Sequence, residues 1–157
     1  MKRIVLYVLI LGTAVLVPKE RVDVGKLRPI EVIMICKEDE KIMLVTDTED
    51  VGYGETVEEA FQNMQDTSYG VIYLDTAEYL LITPGTVTQI EYLRTKLKGT
   101  TRICQVTEGI TTEGVGEYLS AHNELPQLRH WKNNENLPVL RQKNGRLFIS
   151  KFIEKTT

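Results

Sequence analysis

Few residues in this chain have the types and spacing that chemistry requires. His122 and His130 are the only histidines, and neither forms the His-x-x-x-His or His-Glu-x-x-His spacing of a metal site. Cys36 and Cys104 lie in strand-like apolar runs, where a thiol behaves as a small hydrophobic side chain. No Gly-x-Ser-x-Gly sequence marks a serine nucleophile. We therefore expect no catalytic residue, no metal site and no cofactor.

The two thiols leave an alternative open. If the domain lies outside a cell and the two strands are neighbours, Cys36 and Cys104 could form a disulfide. The spacing in the sequence does not decide between a bonded pair and two buried thiols.

Gly52 and Gly54 lie between a strand-like run and a helix start, where phosphate-binding loops occur. The third glycine of a G-x-G-x-x-G sequence would stand at position 57, which is Val57. Nearby carboxylates would also repel a phosphate, namely Glu49, Asp50, Glu55, Glu58 and Glu59. We interpret residues 47–55 as a polar turn, and the acidic stretch 38–40 as another.

Arg129, His130 and Trp131 form a candidate interaction patch in the Asn-rich stretch 125–137. In one interpretation all three side chains are exposed and contact a partner. In the other, which we favour, Trp131 holds an irregular connection against the core.

The elements that position these residues follow from the hydrophobic pattern. Apolar runs predict strands at 30–36, 41–46 and 102–106, and at least one strand between 71 and 82. A short polar turn joins the first two runs as a hairpin. Asn144-Gly145 predicts a second hairpin near the C-terminus, because both residues tolerate a positive φ.

Three helices are predicted. Thr56-Val57-Glu58-Glu59 matches a capping box, so a helix should begin at Thr56. Thr86-Val87-Thr88-Gln89 is a second match, for a helix that should end near Gly99. A weaker apolar pattern predicts a third helix over residues 115–122.

Length and composition indicate one folded domain over residues 22–157, in a chain of 157 residues that is 42% hydrophobic. The predicted fold class is α/β (α+β): a mixed β-sheet with about three packed helices and a C-terminal β-hairpin, preceded by an N-terminal hydrophobic helix. The chain carries a net charge of -3; its first 21 residues contribute +3, which leaves -6 for the rest. An acidic body argues against nucleic acid and anionic lipid as partners.

The N-terminus resembles an export signal. Lys2 and Arg3 precede an apolar run at residues 4–17 (IVLYVLILGTAVLV), which ends at Pro18. A bilayer span needs about 20 apolar residues, so this shorter run fits either a cleaved signal peptide or a membrane anchor. We expect residues 1–21 to attach the chain to a membrane or be removed, with the body outside the cytoplasm. The alternative is a buried first element of a cytosolic core.

The predicted hairpin, the sequence Gly54-Glu55-Thr56-Val57-Glu58-Glu59-Ala60-Phe61 and the apolar runs that follow it resemble the first domain of the spore germinant receptor C-subunit family. Gly54, Thr56, Glu59 and Ala60 match its helix start, and the likeness spans residues 27–106.

The resemblance implies a non-enzymatic subunit, attached to the spore inner membrane, that contacts other germinant receptor subunits during spore germination. Family members are lipoproteins with a cysteine that closes the signal. The first cysteine here is Cys36, so a lipid anchor is not predicted. We expect a single-domain relative of unknown ligand.

A competing hypothesis is an exported small-molecule-binding or enzymatic α/β domain whose site is not visible as a linear motif. A deep pocket with converging titratable side chains would favour it. A shallow surface with an exposed apolar patch would favour the interaction domain.

Overall fold

The fold is taken from a computed structural model, which describes residues 24–122, 124–133 and 135–150. The predicted N-terminal helix and the apolar run 4–17 lie outside these residues. Within the described ranges, no helix has the length and apolar character needed to cross a bilayer.

The described residues form nine strands and three α-helices. The strands are β1 (Leu27–Pro29), β2 (Val32–Glu38), β3 (Lys41–Thr46), β4 (Val51–Gly54), β5 (Val71–Tyr73), β6 (Tyr79–Ile82), β7 (Arg102–Val106), β8 (Val139–Lys143) and β9 (Arg146–Ser150). The helices are α1 (Val57–Thr67), α2 (Glu91–Lys96) and α3 (Val115–Ser120). Short 3-10 turns lie at Val24–Lys26, Leu74–Thr76 and Val87–Gln89.

Seven of the strands form one mixed sheet in the order β4-β3-β2-β6-β7-β8-β9. The four middle strands β2, β6, β7 and β8 are parallel, and an antiparallel hairpin or strand extends the sheet at each end. β1 and β5 form a separate two-stranded parallel sheet, called the small sheet below. The predicted mixed sheet, the helices and the C-terminal hairpin are confirmed.

The large sheet is covered on both faces. α1 and α2 pack over one face, where Leu44, Leu80 and Ile103 are fully buried. α3 packs over the other face, where Leu81 and Val106 are fully buried. β6 is buried along its whole length because it lies in the middle of the sheet with cover on both sides.

The polar turn predicted over residues 47–55 is wrong in its second half, because Val51–Gly54 form β4. The two glycines allow α1 to lie directly on this strand. A Cβ on Gly52 would come within 2.1 Å of the Ala60 carbonyl oxygen, and one on Gly54 within 2.4 Å of the Ala60 nitrogen. Glycine is depleted in strands, so the pattern of residue types did not indicate one here.

The first predicted helix start is confirmed and the second is wrong. Thr56 Oγ1 accepts a hydrogen bond from the Glu59 N–H, so α1 begins as the capping box predicts. Thr86 Oγ1 instead donates to the Thr83 carbonyl at 2.9 Å, and its backbone lies in the helical region. The hydroxyl is therefore used by the preceding loop, and a 3-10 turn separates Thr86 from α2.

Candidate functional site

The predicted patch Arg129, His130 and Trp131 is divided between surface and core. Trp131 is 3% exposed, its Nε1 donates to the Glu135 carbonyl at 3.1 Å, and the Arg94 guanidinium lies 5.5 Å from its ring centre. Arg129 and His130 are exposed. Trp131 therefore holds the connection 125–137 against the core, and a surface patch here would contain only the other two residues.

The two cysteines are free and lie too far apart to pair. Cys36 is in β2 and Cys104 in β7, with β6 between them. Two strand spacings amount to about 9.5 Å, whereas bridged Cα atoms lie less than about 7 Å apart. Burial raises the pKa of Cys36 to about 11, with the Glu38 charge adding to the shift, and raises the pKa of Cys104 to about 12. Both thiols are therefore protonated at neutral pH, which is unfavourable for a nucleophile.

The two histidines lie in different segments, His122 just after α3 and His130 in the connection 125–137. His122 Nδ1 lies 2.8 Å from the Tyr118 carbonyl oxygen, and its ring stacks on the Tyr118 ring at 4.4 Å. Over the described ranges of the chain, no group of three or more His, Cys, Asp or Glu side chains is arranged to hold a metal ion.

A groove of about 430 Å³ lies at the carboxyl ends of β2, β6 and β7, where open α/β sheets commonly bind ligands. We call it the strand-end groove. Its apolar floor includes Met34, Cys36, Met43 and Ile110, and its rim includes Lys37, Glu38, Thr83, Thr107 and Glu108. Lys37 Nζ lies 2.6 Å from a Glu40 carboxylate oxygen, so this cation already has a partner.

An apolar surface lies on the outer side of the small sheet. Val71 and Tyr73 are alternate residues of β5 and are 41% and 40% exposed. Leu27 and Pro29 are their register partners in β1, so all four side chains are on the same side of the small sheet. Tyr69, which precedes β5, is fully exposed. We call these four residues, together with Tyr69 two positions before Val71 in the sequence, the aromatic face.

The aromatic face has a firm support. Ile72, between Val71 and Tyr73, points into the core, and the Gln65 amide in α1 exchanges two hydrogen bonds with the Ile72 backbone. On the neighbouring strand, Arg28 Nη1 donates to Asp50 Oδ1 at 2.8 Å and Nη2 donates to the Thr48 carbonyl. Both strands are thus held to the body of the domain.

The two outer strands of the large sheet differ in how well their edges are covered. In β4, the Tyr53 N–H donates to Asn63 Oδ1 of α1, so this edge is partly closed. In β9, counting from the Asn144-Gly145 turn places Arg146 and Phe148 at hydrogen-bonded positions, so Leu147 and Ile149 direct their backbone groups away from β8. Within the described part of the chain no strand pairs with β9 on that side. We call this side of β9 the open edge.

Neither the aromatic face nor the open edge is indicated by the sequence pattern. The pattern predicts Val71 and Tyr73 as part of an apolar strand, and a continuous apolar run gives no sign of which alternate residues face solvent. β1 was not predicted at all, and without it the small sheet cannot be inferred. Comparisons with protein-family models, with curated proteins and with solved structures found no match for the chain.

Proposed function

We propose that this chain is a non-enzymatic extracytoplasmic domain, attached to a membrane by residues 4–17, that acts through contacts with other proteins. The observation that carries the proposal is the open edge of β9. Within the described residues it presents backbone donors and acceptors with which no other strand pairs, beside the exposed side chain of Phe148.

An open edge is suited to binding an extended segment of a partner. Soluble proteins usually cover or interrupt their edge strands, because free backbone groups pair readily with another chain. β4 follows this rule, since Asn63 occupies one of its outward donors. β9 does not follow it, and strand addition at such an edge is a common mode of protein recognition.

The biological setting in this proposal comes from the resemblance to the germinant receptor C subunits. It places the domain at the spore inner membrane during germination, where its partners are other germinant receptor subunits. The match at Gly54, Thr56, Glu59 and Ala60 supports this setting. The confirmed capping box and the close packing of Gly54 against α1 give these residues a structural role consistent with it.

The experiment compares two variants of one residue on the open edge. Leu147→Pro removes an outward N–H while leaving the bonds between β8 and β9 in place, and Leu147→Val keeps the N–H with a smaller side chain. A photo-crosslinking amino acid at position 148 is introduced into each full chain in its native host. We expect a crosslink to a second membrane protein in the parent and in Leu147→Val, and its loss in Leu147→Pro, together with slower spore germination.

Two results would contradict the proposal. A crosslink of equal yield in Leu147→Pro and Leu147→Val would show that the edge N–H takes no part in binding. Recovery of the chain from the soluble fraction would remove the membrane attachment itself.

The strand-end groove favours a second candidate function, the binding of a small molecule. Its volume lies within the range of roughly 300 to 1,000 Å³ that is usual for ligand pockets. A bulky side chain placed on the floor, as in Met43→Trp, would fill the groove. If spores of this variant germinate as the parent does, while Leu147→Pro spores do not, the groove is not required.

A further inference from the structure

We propose that the aromatic face lies against the lipid surface of the membrane that carries the chain, and so sets the orientation of the domain. This inference rests on the proposed function, because it requires residues 4–17 to be inserted in that membrane. The addition to the proposed function is that the aromatic face contacts lipid, while the open edge remains available to bind protein.

The length of the connecting chain keeps the small sheet near the membrane. Residues 18–26 join the apolar run to β1, and such a segment spans at most about 35 Å when fully extended. Val24–Lys26 form a 3-10 turn, which is shorter than an extended chain. A domain of this size has a radius of gyration of about 14 Å. The connection ends in the small sheet, so this is the part of the body held closest to the bilayer.

The side chains of the aromatic face suit the boundary between lipid and water. Tyrosine has an apolar ring and a polar hydroxyl, and it is enriched at both surfaces of membranes for this reason. Tyr69 and Tyr73 lie on either side of Val71, and the register partners in β1 are Leu27 and Pro29. The strand positions that form this face therefore carry only apolar or aromatic side chains.

The size of the aromatic face favours lipid over a protein partner. Its exposed apolar area is on the order of 400 Å², which is at the scale of the largest patch on an ordinary monomer. A stable protein interface buries about 800 Å² on each partner, so this face alone is too small to hold a protein. A tethered domain needs less apolar area, because a short connection to the membrane gives an effective concentration in the millimolar range.

The charge of the domain favours contact with a zwitterionic lipid surface over an anionic one. The chain after residue 21 carries a net charge of -6, and the Asp75 carboxylate near Tyr73 raises the pKa of that phenol. An anionic surface would repel these carboxylates. The contact is therefore apolar in origin, and it should form on zwitterionic lipid without help from anionic lipid.

The test places a fluorescent reporter on the face. The full chain is reconstituted into phosphatidylcholine vesicles with and without brominated acyl chains, which quench nearby tryptophan. Tyr69→Trp puts the reporter on the aromatic face, and Tyr53→Trp puts it at an exposed site on the large sheet, on the side opposite α1. Trp131 is buried in both proteins and gives a constant background. We expect brominated lipid to quench Tyr69→Trp and to leave Tyr53→Trp unchanged.

A third protein separates docking from simple proximity. In Tyr69→Trp combined with Val71→Ser and Tyr73→Ser, the tether is intact but the apolar face is lost, so quenching should fall. Two results would overturn the inference if the chain still floats with the vesicles. One is equal quenching with and without the two serines, and the other is equal quenching of Tyr69→Trp and Tyr53→Trp. If the chain does not float with the vesicles, the membrane attachment is also wrong. Flotation therefore distinguishes a failure of the proposed function from a failure of the lipid contact alone.

Discussion

At the scale of single residues, burial controls the chemistry of the two thiols. Cys104 is 1% exposed in the middle of β7, and Cys36 is half-buried near the end of β2. Low polarity disfavours the thiolate, so the pKa of each rises above that of a free cysteine. A thiol that stays protonated reacts slowly with electrophiles and with disulfides.

We predict that Cys36 is alkylated slowly at pH 9. A pKa of about 11 leaves few thiolates at that pH, so its reaction with iodoacetamide should be at least about tenfold slower than that of a free cysteine. The rate should rise as the pH approaches 11. Mass spectrometry of peptides after timed alkylation measures each site separately, and denatured protein serves as the control. Equal rates in native and denatured protein would contradict the assigned environment.

The same shift makes stability depend on pH in a defined direction. Folding raises the pKa of Cys36 above its unfolded value near 9, so its contribution to stability is fully present below that pH. It is lost as the pH rises from about 9 through about 11, because the unfolded chain releases its proton first.

At the scale of elements, α1 shows how a local signal becomes structure. Thr56 caps the helix through the Glu59 N–H, and the Glu59 carboxylate accepts a hydrogen bond from the Glu55 N–H. The buried stripe of Val57, Ala60 and Met64 then packs on the two glycines of β4.

We predict that Thr56→Ala lowers the free energy of unfolding by about 1 kcal/mol, because a helix N–H loses its acceptor. Thr56→Ser keeps the hydroxyl and should unfold within a few tenths of a kcal/mol of the parent. Urea unfolding followed by circular dichroism measures both. A urea unfolding curve for Thr56→Ala that superimposes on that of the parent would show that the cap has no energetic role.

An element could be predicted from the sequence where neighbouring residues determine it. An element that depends on contacts between distant residues could not. The capping box at Thr56 and the Asn144-Gly145 turn work through neighbouring residues, and both are confirmed. Thr86 carries the same cap signal, but a loop contact to Thr83 uses its hydroxyl instead. β1 has three residues and pairs with a strand more than forty positions away, so no nearby residue indicates it.

The aromatic face and the open edge could not be predicted from the sequence for the same reason. The exposure of Val71 and Tyr73 follows from the register of β5 with β1 and from the cover that α1 gives to Ile72. The open edge follows from the position of β9 at the end of the strand order. Both are properties of long-range pairing, whereas the buried side chain of Trp131 agrees with the interpretation favoured from the sequence.

At the scale of the whole molecule, each surface has a different task in the proposed function. In the proposed function, the apolar run 4–17 would attach the chain to a membrane and the aromatic face would turn one side of the body toward the lipid. The open edge of β9 would then meet other proteins of that membrane. The net charge of -6 after residue 21 is unfavourable for binding nucleic acid, which is itself anionic.

The most direct test of the central claim is protease digestion of intact protoplasts that carry the full chain with a C-terminal tag. We predict that the chain sediments with the membrane and that external protease removes the tag before the cells are broken. Recovery of the chain in the soluble lysate, with a tag that resists protease until lysis, would contradict it. Residues 4–17 would then belong to a cytosolic protein. Neither the membrane attachment nor the contact of the aromatic face with lipid would hold.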